Sequence, residues 1–142
     1  MKIVIGFHVG RELVNAISSA RERVWICTPY IGRKAIEILS KLGSDIDIKI
    51  VTRQYVENRE AIEFLMSRGI DIKILPSLHA KIYIVDRTVF IGSMNLTDTS
   101  LFNNIEASIV LDYDSEKDLV LEVEKAFEML WSMAIDIRDV YP

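Results

Sequence analysis

The sequence of 142 residues contains one cysteine, Cys27, and two histidines, His8 and His79. A single cysteine excludes an internal disulfide and any zinc site built from several cysteines. Two histidines are too few for a histidine-rich metal cluster. Cys27 lies in an apolar, strand-like stretch, which indicates a buried and unreactive thiol.

Long apolar runs are also missing. No stretch approaches the roughly 18 apolar residues that a membrane-spanning helix needs. Residues 1–6 are too short for the apolar core of a signal peptide. These absences predict a soluble, cytoplasmic protein that does not associate with a membrane.

The net charge of −4 argues against a surface that coats nucleic acid without selectivity, but the charge is unevenly distributed. Residues 1–100 hold 14 Lys and Arg against 11 Asp and Glu, whereas residues 101–142 hold 3 against 10. The acidic groups therefore concentrate towards the carboxyl end, and a locally positive site is compatible with the acidic total.

The hydrophobic pattern alternates between two periods. Runs of β-branched and alternating apolar residues predict strands at residues 3–5, 23–28, 47–52, 70–75 and 106–112. Helical spacing predicts helices at residues 11–20, 35–42 and 57–67. It also predicts a long final helix, which begins with a capping box from Ser115 to Asp118. The side chains of this helix that should face inward are Leu119, Val123, Phe127, Leu130 and Ala134. We predict one α/β domain over residues 1–142, with a mixed, largely parallel sheet between helices on both faces.

The most informative stretch runs from Leu78 to Asn95. His79 and Lys81 lie in an alternating apolar run that predicts a strand, so both side chains should share one face of that strand. A polar turn follows at residues 86–88. A second strand then passes through Gly92 and delivers Ser93 and Asn95 close to the start of the hairpin.

These residue types suit a phosphate site. Lysine supplies a fixed positive charge, and the amide and hydroxyl can donate to non-bridging oxygens. Histidine can attack phosphorus or transfer a proton near neutral pH. An isolated His-x-Lys would more often be a buried hairpin with its polar ends in solvent. The extended pattern His79-x-Lys81-x4-Asp86 followed by Gly92-Ser93-x-Asn95 is far more specific.

This extended pattern closely resembles the HKD motif of the phospholipase D superfamily. The resemblance implies that His79 is a nucleophile that forms a phosphohistidine, and that Lys81 and Asn95 hold the non-bridging oxygens with support from Ser93. It also implies that Glu106 accepts a hydrogen bond from the second ring nitrogen of His79 and stabilises the imidazolium. The alternative is that Glu106 is an ordinary carboxylate at a strand end with no role in the site. Asp86 belongs to the motif, although a structural role capping its own turn is favoured over a catalytic one.

Many members of the superfamily carry two HKD motifs, whereas this chain has one. His8 cannot supply the second, because Val9 and Gly10 follow it where the motif has a lysine two residues on. The mechanism needs two histidines, one to attack and one to protonate the leaving oxygen. We therefore expect a homodimer with the active site on its two-fold axis, and no metal or other cofactor, as in the short bacterial single-motif endonucleases that the chain resembles.

The expected function is cleavage of nucleic acid, with DNA favoured over RNA. Arg33, Arg53 and Lys73 are candidate phosphate contacts, although each is more simply read as solvated charge. A phospholipase or phosphatidyl transferase would use the same histidine chemistry, because fold and motif do not select the substrate. A non-catalytic, nucleic-acid-binding subunit of a larger system is the third alternative.

Overall fold

Strands and helices alternate along the first half of the chain, and the computed structural model describes residues 1–140. The strands are β1 (Lys2–Gly6), β2 (Arg23–Cys27), β3 (Asp47–Thr52), β4 (Asp71–Ile74), β5 (Ile82–Val85), β6 (Thr88–Gly92), β7 (Glu106–Asp112) and β8 (Ile135–Asp136). The α-helices are α1 (Val9–Ser18), α2 (Arg33–Ser40), α3 (Arg59–Ser67) and α4 (Lys117–Met133). Short 3₁₀ turns span Val56–Asn58 and Ile137–Asp139, and a π-helical turn spans Thr99–Asn103.

The strands form a single mixed sheet in the order β1-β7-β6-β5-β2-β3-β4-β8. Within residues 1–140, parallel pairing joins only β2 to β3 and β3 to β4. The other five pairings are antiparallel, so the mixed sheet was predicted correctly but its largely parallel character was wrong. The reason is the connections: helices link the parallel strands, whereas a tight turn at Asp86 and Arg87 forces β5 and β6 to be antiparallel.

Helices cover both faces of the sheet, as predicted. Helices α1, α2 and α3 bury Leu13, Leu39 and Leu65 against one face, in a cluster that includes Ile26 and Tyr83. Helix α4 packs on the other face, where its Val120 and Phe127 join a second cluster with strand residues such as Trp25 and Ile84. No helix within residues 1–140 is both long enough and apolar enough to cross a membrane.

The start of α4 differs from the predicted capping box. The helix begins at Lys117 with Glu116 at the N-cap position, and no side chain caps it. Ser115 instead belongs to the preceding turn, in which its backbone N–H donates to the carbonyl of Asp112. Helix α4 consequently buries Val120, whereas Leu119, which was expected to face inward, is exposed.

Candidate active site

Strand register brings the motif residues other than Asp86 to one end of the sheet. Cys27 at the end of β2 lies opposite Ile82 at the start of β5, and Ile82 lies opposite Ile91 on β6. Gly92 at the end of β6 in turn lies opposite Ser108 near the start of β7. We call this region, where β2, β3 and β6 finish and β5 and β7 begin, the site end of the sheet.

His79 and Lys81 lie at the site end, but in the extended segment before β5 and not within it. The predicted strand is shorter than expected because β2 stops at Cys27, so the residues before Ile82 have no β2 residue opposite them. The predicted alternation holds within the strand, since Tyr83 and Val85 enter one apolar cluster and Ile82 and Ile84 the other.

The side chains of His79 and Lys81 are in direct contact. The Lys81 ammonium lies 3.4 Å from both ring nitrogens of His79 and donates to the His79 backbone carbonyl at 3.1 Å. An ammonium can only donate, so a ring nitrogen that accepts from it must carry a lone pair. The imidazole is exposed and makes no other hydrogen bond within residues 1–140. The contact therefore places an imidazole beside a positively charged ammonium group.

Ser93 and Glu106 form the second part of the site. The Ser93 hydroxyl donates to the buried Glu106 carboxylate at 2.6 Å and accepts from the Ala107 backbone N–H at 3.0 Å. Asn104 donates to the other carboxylate oxygen at 3.4 Å. The expected hydrogen bond from a His79 ring nitrogen to the Glu106 carboxylate is not formed within residues 1–140, where the His79 ring nitrogens lie within hydrogen-bonding distance of Lys81 alone. Glu106 instead fixes the orientation of Ser93.

Asn95 reaches the site from the segment after β6. Its backbone N–H donates to the Ser100 hydroxyl oxygen at 3.2 Å, and the Tyr83 hydroxyl donates to the neighbouring Met94 carbonyl at 2.8 Å. Burial raises the pKa of Tyr83, which keeps this phenol a neutral donor. Asn95 Oδ1 is buried without a hydrogen-bond partner in the described part of the chain. The backbone of Asn95 is thus held by a hydrogen bond, while its side-chain amide oxygen has no partner among residues 1–140.

Asp86 lies away from these residues, at the opposite end of β5. Its carboxylate accepts from the backbone N–H groups of Arg21, Glu22 and Arg23 at 2.8 to 3.2 Å. Burial alone would raise its pKa, but these backbone donors and the Arg23 charge hold the pKa below the ordinary aspartate value. Asp86 also has a left-handed backbone with φ of 53°, which aspartate and asparagine tolerate better than most residues. This geometry favours a structural role over the catalytic one, although the carboxylate binds the segment at the start of β2 and not its own turn as predicted.

The substitution Asp86→Asn tests that structural role. Asparagine keeps the backbone conformation but loses the charge that the three N–H groups solvate. We expect the free energy of unfolding to fall by about 1–3 kcal/mol at pH 7, with turnover per folded molecule unchanged. Because the folded pKa is lowered, the charge stabilises the protein above about pH 4 and this contribution disappears as the pH falls through the folded pKa.

Urea unfolding of Asp86→Asn and of the wild-type protein at pH 7 and near pH 3 measures both effects. Asp114→Asn is the matched control, because Asp114 forms only an exposed ion pair with Arg87 and should contribute at most about 1 kcal/mol. A stable Asp86→Asn protein with greatly reduced turnover would instead place Asp86 in the reaction.

The three candidate phosphate contacts differ in the partners that their charged groups have in the structure. Arg33 forms an exposed ion pair with Glu60, and Lys73 donates to the Trp131 carbonyl at 3.1 Å. Arg53 directly follows β3, which finishes at the site end, and it lines a cavity of about 160 Å³ together with Tyr55 and Pro76. Arg33 and Lys73 thus have protein partners for their charges, and Arg53 remains the candidate phosphate contact.

The sequence interpretation missed the segments beside this cavity. Tyr30 follows β2 and stacks on Tyr55, which follows β3, with ring centroids 4.8 Å apart. Buried Asn58 links the two segments by donating to the carbonyls of Pro29 and Arg53. The two tyrosines are 25 positions apart in the sequence and have no motif in common, so only the parallel pairing of β2 with β3 reveals their contact.

Other chemically reactive side chains do not extend the site. Cys27 is buried, as predicted, and burial raises the pKa of its thiol to about 12. His8 is exposed and precedes α1, where it makes no side-chain capping hydrogen bond. The described residues contain no group of three or more His, Cys, Asp or Glu side chains that could hold a metal ion.

Comparison with known proteins places this geometry in a family. A family model described as cardiolipin synthase, PLD-like domain, matches residues 13–131. Nuc, a phospholipase D family member from Salmonella typhimurium, has a TM-score of 0.78 at 22% identity, over 95% of this chain and 97% of Nuc. NucT from Helicobacter pylori has a TM-score of 0.77 at 19% identity, over 95% of this chain and 97% of NucT.

A third solved structure is similar over part of its own length. Phosphatidylserine synthase from Haemophilus influenzae has a TM-score of 0.72 at 17% identity, over 94% of this chain and 38% of the synthase. No curated protein sequence matches the chain. The low identities to the solved structures establish a shared fold, and the family model covers most of the sequence. The protein therefore belongs to the phospholipase D-like family of phosphodiester-acting enzymes.

Proposed function

We propose that the protein is a metal-independent phosphodiesterase that cleaves nucleic acid as an endonuclease, through a phosphohistidine intermediate in a homodimer. The observation that carries the proposal is the contact between His79 and Lys81 at the site end. A nucleophilic nitrogen next to a fixed cation is the minimum requirement for attack on an anionic phosphodiester. DNA is the expected substrate in preference to RNA.

The proposed reaction has two displacements at phosphorus. In the first, a ring nitrogen of His79 attacks, the bond from phosphorus to one ester oxygen breaks, and that oxygen takes a proton from the protonated His79 of a second copy. In the second, this now neutral histidine removes a proton from water. The water oxygen attacks phosphorus, the phosphorus–nitrogen bond breaks, and both histidines return to their starting states.

The neighbouring side chains have distinct proposed roles. Lys81 neutralises a non-bridging oxygen and so supplies the charge that a metal ion supplies in other phosphodiesterases. The Nδ2 amino group of Asn95 is the proposed donor to a second non-bridging oxygen. The Ser93 hydroxyl donates its hydrogen bond to Glu106 and is not free to donate to the phosphate. We therefore assign Ser93 and Glu106 the role of shaping the pocket around the phosphate.

A second copy is needed because the chain supplies one motif histidine. An exposed apolar surface near the site suits this partner, and we call it the β1–β7 face. Its members lie on β1, on β7 or in the adjoining loops and are between 40% and 69% exposed: Ile3, Ile5, Phe7, Ile105 and Ile109. Ile3 and Ile109 are direct neighbours across the strands, and Ile105 precedes Glu106. The face therefore borders the site, where a two-fold partner would have to dock.

The substitution Ile5→Glu tests the dimer. A charge on the β1–β7 face would be buried on association, so we expect a folded monomer by light scattering and at least about 100-fold lower turnover. Ile135→Glu is the matched control, because Ile135 is 50% exposed on β8 at the far edge of the sheet. A wild-type protein that is a fully active monomer at assay concentration would contradict the two-copy mechanism.

The proposed activity is tested by cleavage of single-stranded DNA, duplex DNA and RNA in excess chelator. We expect chelator-resistant internal cleavage, with DNA cut faster than RNA. Activity should fall steeply with salt concentration if cations such as Arg53 bind phosphates. Cleavage that requires an added divalent ion would contradict the proposal, and a dimer that binds these nucleic acids but cuts none would indicate the non-catalytic alternative.

A lipid substrate is the second candidate. The matching family model is named after cardiolipin synthase, and one similar structure is a phosphatidylserine synthase. The exposed β1–β7 face could then contact acyl chains in place of a second copy. Phosphatidylglycerol vesicles belong in the same assay, because release of a lipid headgroup without cleavage of any nucleic acid would favour this alternative.

A further inference from the structure

The Tyr30–Tyr55 pair is the strongest unassigned feature of the site end. Tyr30 is 38% exposed, and its ring lies against Tyr55 at an interplanar angle of 21°. The Arg53 guanidinium lies 4.4 Å from the centroid of the Tyr55 ring. Among residues 1–140, Tyr55 is the only ring that Tyr30 contacts. The exposed part of the Tyr30 side chain is where another flat group would stack.

The pair lies in line with the proposed reaction centre. Thr28 follows β2 next to the start of β5, and its hydroxyl donates to the Tyr30 carbonyl at 2.8 Å. Lys81 precedes β5, while Tyr30 and Tyr55 follow β2 and β3, and these three strands are successive in the sheet at a spacing of about 5 Å. The cavity beside Tyr55 is also lined by Pro76, three residues before His79. A polymer bound at His79 would therefore pass the two rings.

The two segments that carry the tyrosines are rigidly connected. Asn58 is fully buried, and its side chain accepts from the Ile31 N–H at 3.0 Å. The same amide donates to the Pro29 carbonyl at 2.8 Å and to the Arg53 carbonyl at 2.9 Å. One side chain thus joins the segment around Tyr30 to the segment before Tyr55. Because the stack is already formed in the free protein, binding a ligand does not require the entropic cost of ordering the two rings.

We infer that the Tyr30–Tyr55 pair is a stacking subsite for an unpaired nucleobase, and that the substrate is single-stranded nucleic acid. The inference rests on the proposed function and narrows its substrate. Base-on-aromatic stacking tolerates any sequence, because every base has a π-face. In a duplex each base is already stacked between its neighbours, so its face is covered and a tyrosine beside the backbone cannot stack on it. Arg53 adds a cation on the same path.

The test uses the substitutions Tyr30→Ala and Tyr30→Phe with two oligonucleotides, one intact and one abasic on both sides of the scissile phosphate. We expect Tyr30→Ala to lower kcat/KM for the intact strand roughly 10-fold, and by much less for the abasic strand. Tyr30→Phe should retain near wild-type kcat/KM because it keeps the ring. Phe64→Ala, which removes a ring of equal exposure from α3, should leave both substrates unaffected. If Tyr30→Ala lowered kcat/KM equally for the intact and the abasic oligonucleotide, or for neither, the proposed subsite would be wrong.

A binding measurement separates this inference from the proposed chemistry. In the His79→Ala background, fluorescence anisotropy should show tighter binding of a labelled single strand than of the corresponding duplex. Adding Tyr30→Ala should remove most of that preference. Absence of cleavage by the wild-type protein would defeat the proposed function, while this binding comparison would still decide the subsite. Equal affinity for single strand and duplex would overturn it.

Discussion

His79→Ala is expected to lower phosphodiester cleavage by at least about 1,000-fold, because it removes the attacking nitrogen and also the proton donor of the second copy. The imidazole is exposed, and within residues 1–140 its hydrogen-bond contacts are with Lys81 alone, so its loss should leave the fold intact. Cleavage rates in excess chelator, measured beside thermal unfolding of the same preparations, separate lost chemistry from lost structure.

His8→Ala is the matched control for this substitution. His8 is exposed and has no lysine two residues after it. We expect the His8→Ala protein to cleave at the wild-type rate. A comparable loss in both variants would mean that one chain supplies both histidines, and the dimer would no longer be required. A folded His79→Ala protein with full activity would remove His79 from the reaction.

Gly92→Ala is expected to have the largest effect on stability among the changes considered. A Cβ atom at this position would lie 2.0 Å from the Ala107 carbonyl oxygen and 2.8 Å from the Ser108 Cα, both of them backbone atoms of β7. This steric clash can be relieved only if β6 and β7 move apart at the place where Ser93 contacts Glu106. We expect a loss of about 3 kcal/mol or more in the free energy of unfolding, together with loss of activity.

Chemical denaturation of Gly92→Ala and Gly32→Ala measures this effect against a control. At Gly32 a Cβ would make only ordinary contacts, the nearest at 3.7 Å, so the control should lie within about 0.5 kcal/mol of the wild-type protein. An unchanged denaturation midpoint in Gly92→Ala would show that β6 and β7 are not as close as described.

Much of this architecture could be predicted from local patterns. Strand β7 has the predicted bounds, and the ends of α1, α2 and α3 lie within two residues of the predicted ones. Periodicity identifies such elements because it reflects which face is buried. The direction of pairing was harder to predict, because strand neighbours are decided by connections and tertiary packing and not by the strands' own composition.

The candidate site was only partly predictable for the same reason. The motif identifies His79, Lys81, Ser93 and Asn95, since they are close in the sequence and a hairpin brings them together. The partner of Glu106 was predicted as His79, whereas in the described residues the carboxylate accepts from Ser93 and Asn104. Tyr30 and Tyr55 carry no local signal, because their contact depends on two parallel strands and on buried Asn58.

The most direct test of the central claim is to trap the covalent intermediate. Wild-type protein is mixed with an oligonucleotide in excess chelator under single-turnover conditions, quenched with alkali to preserve a phosphorus–nitrogen bond, and analysed by intact and peptide mass spectrometry. The account predicts a transient adduct of one cleavage fragment on His79 that forms and decays at the rate of turnover. Cleavage without any adduct, or an adduct on a different residue, would contradict it.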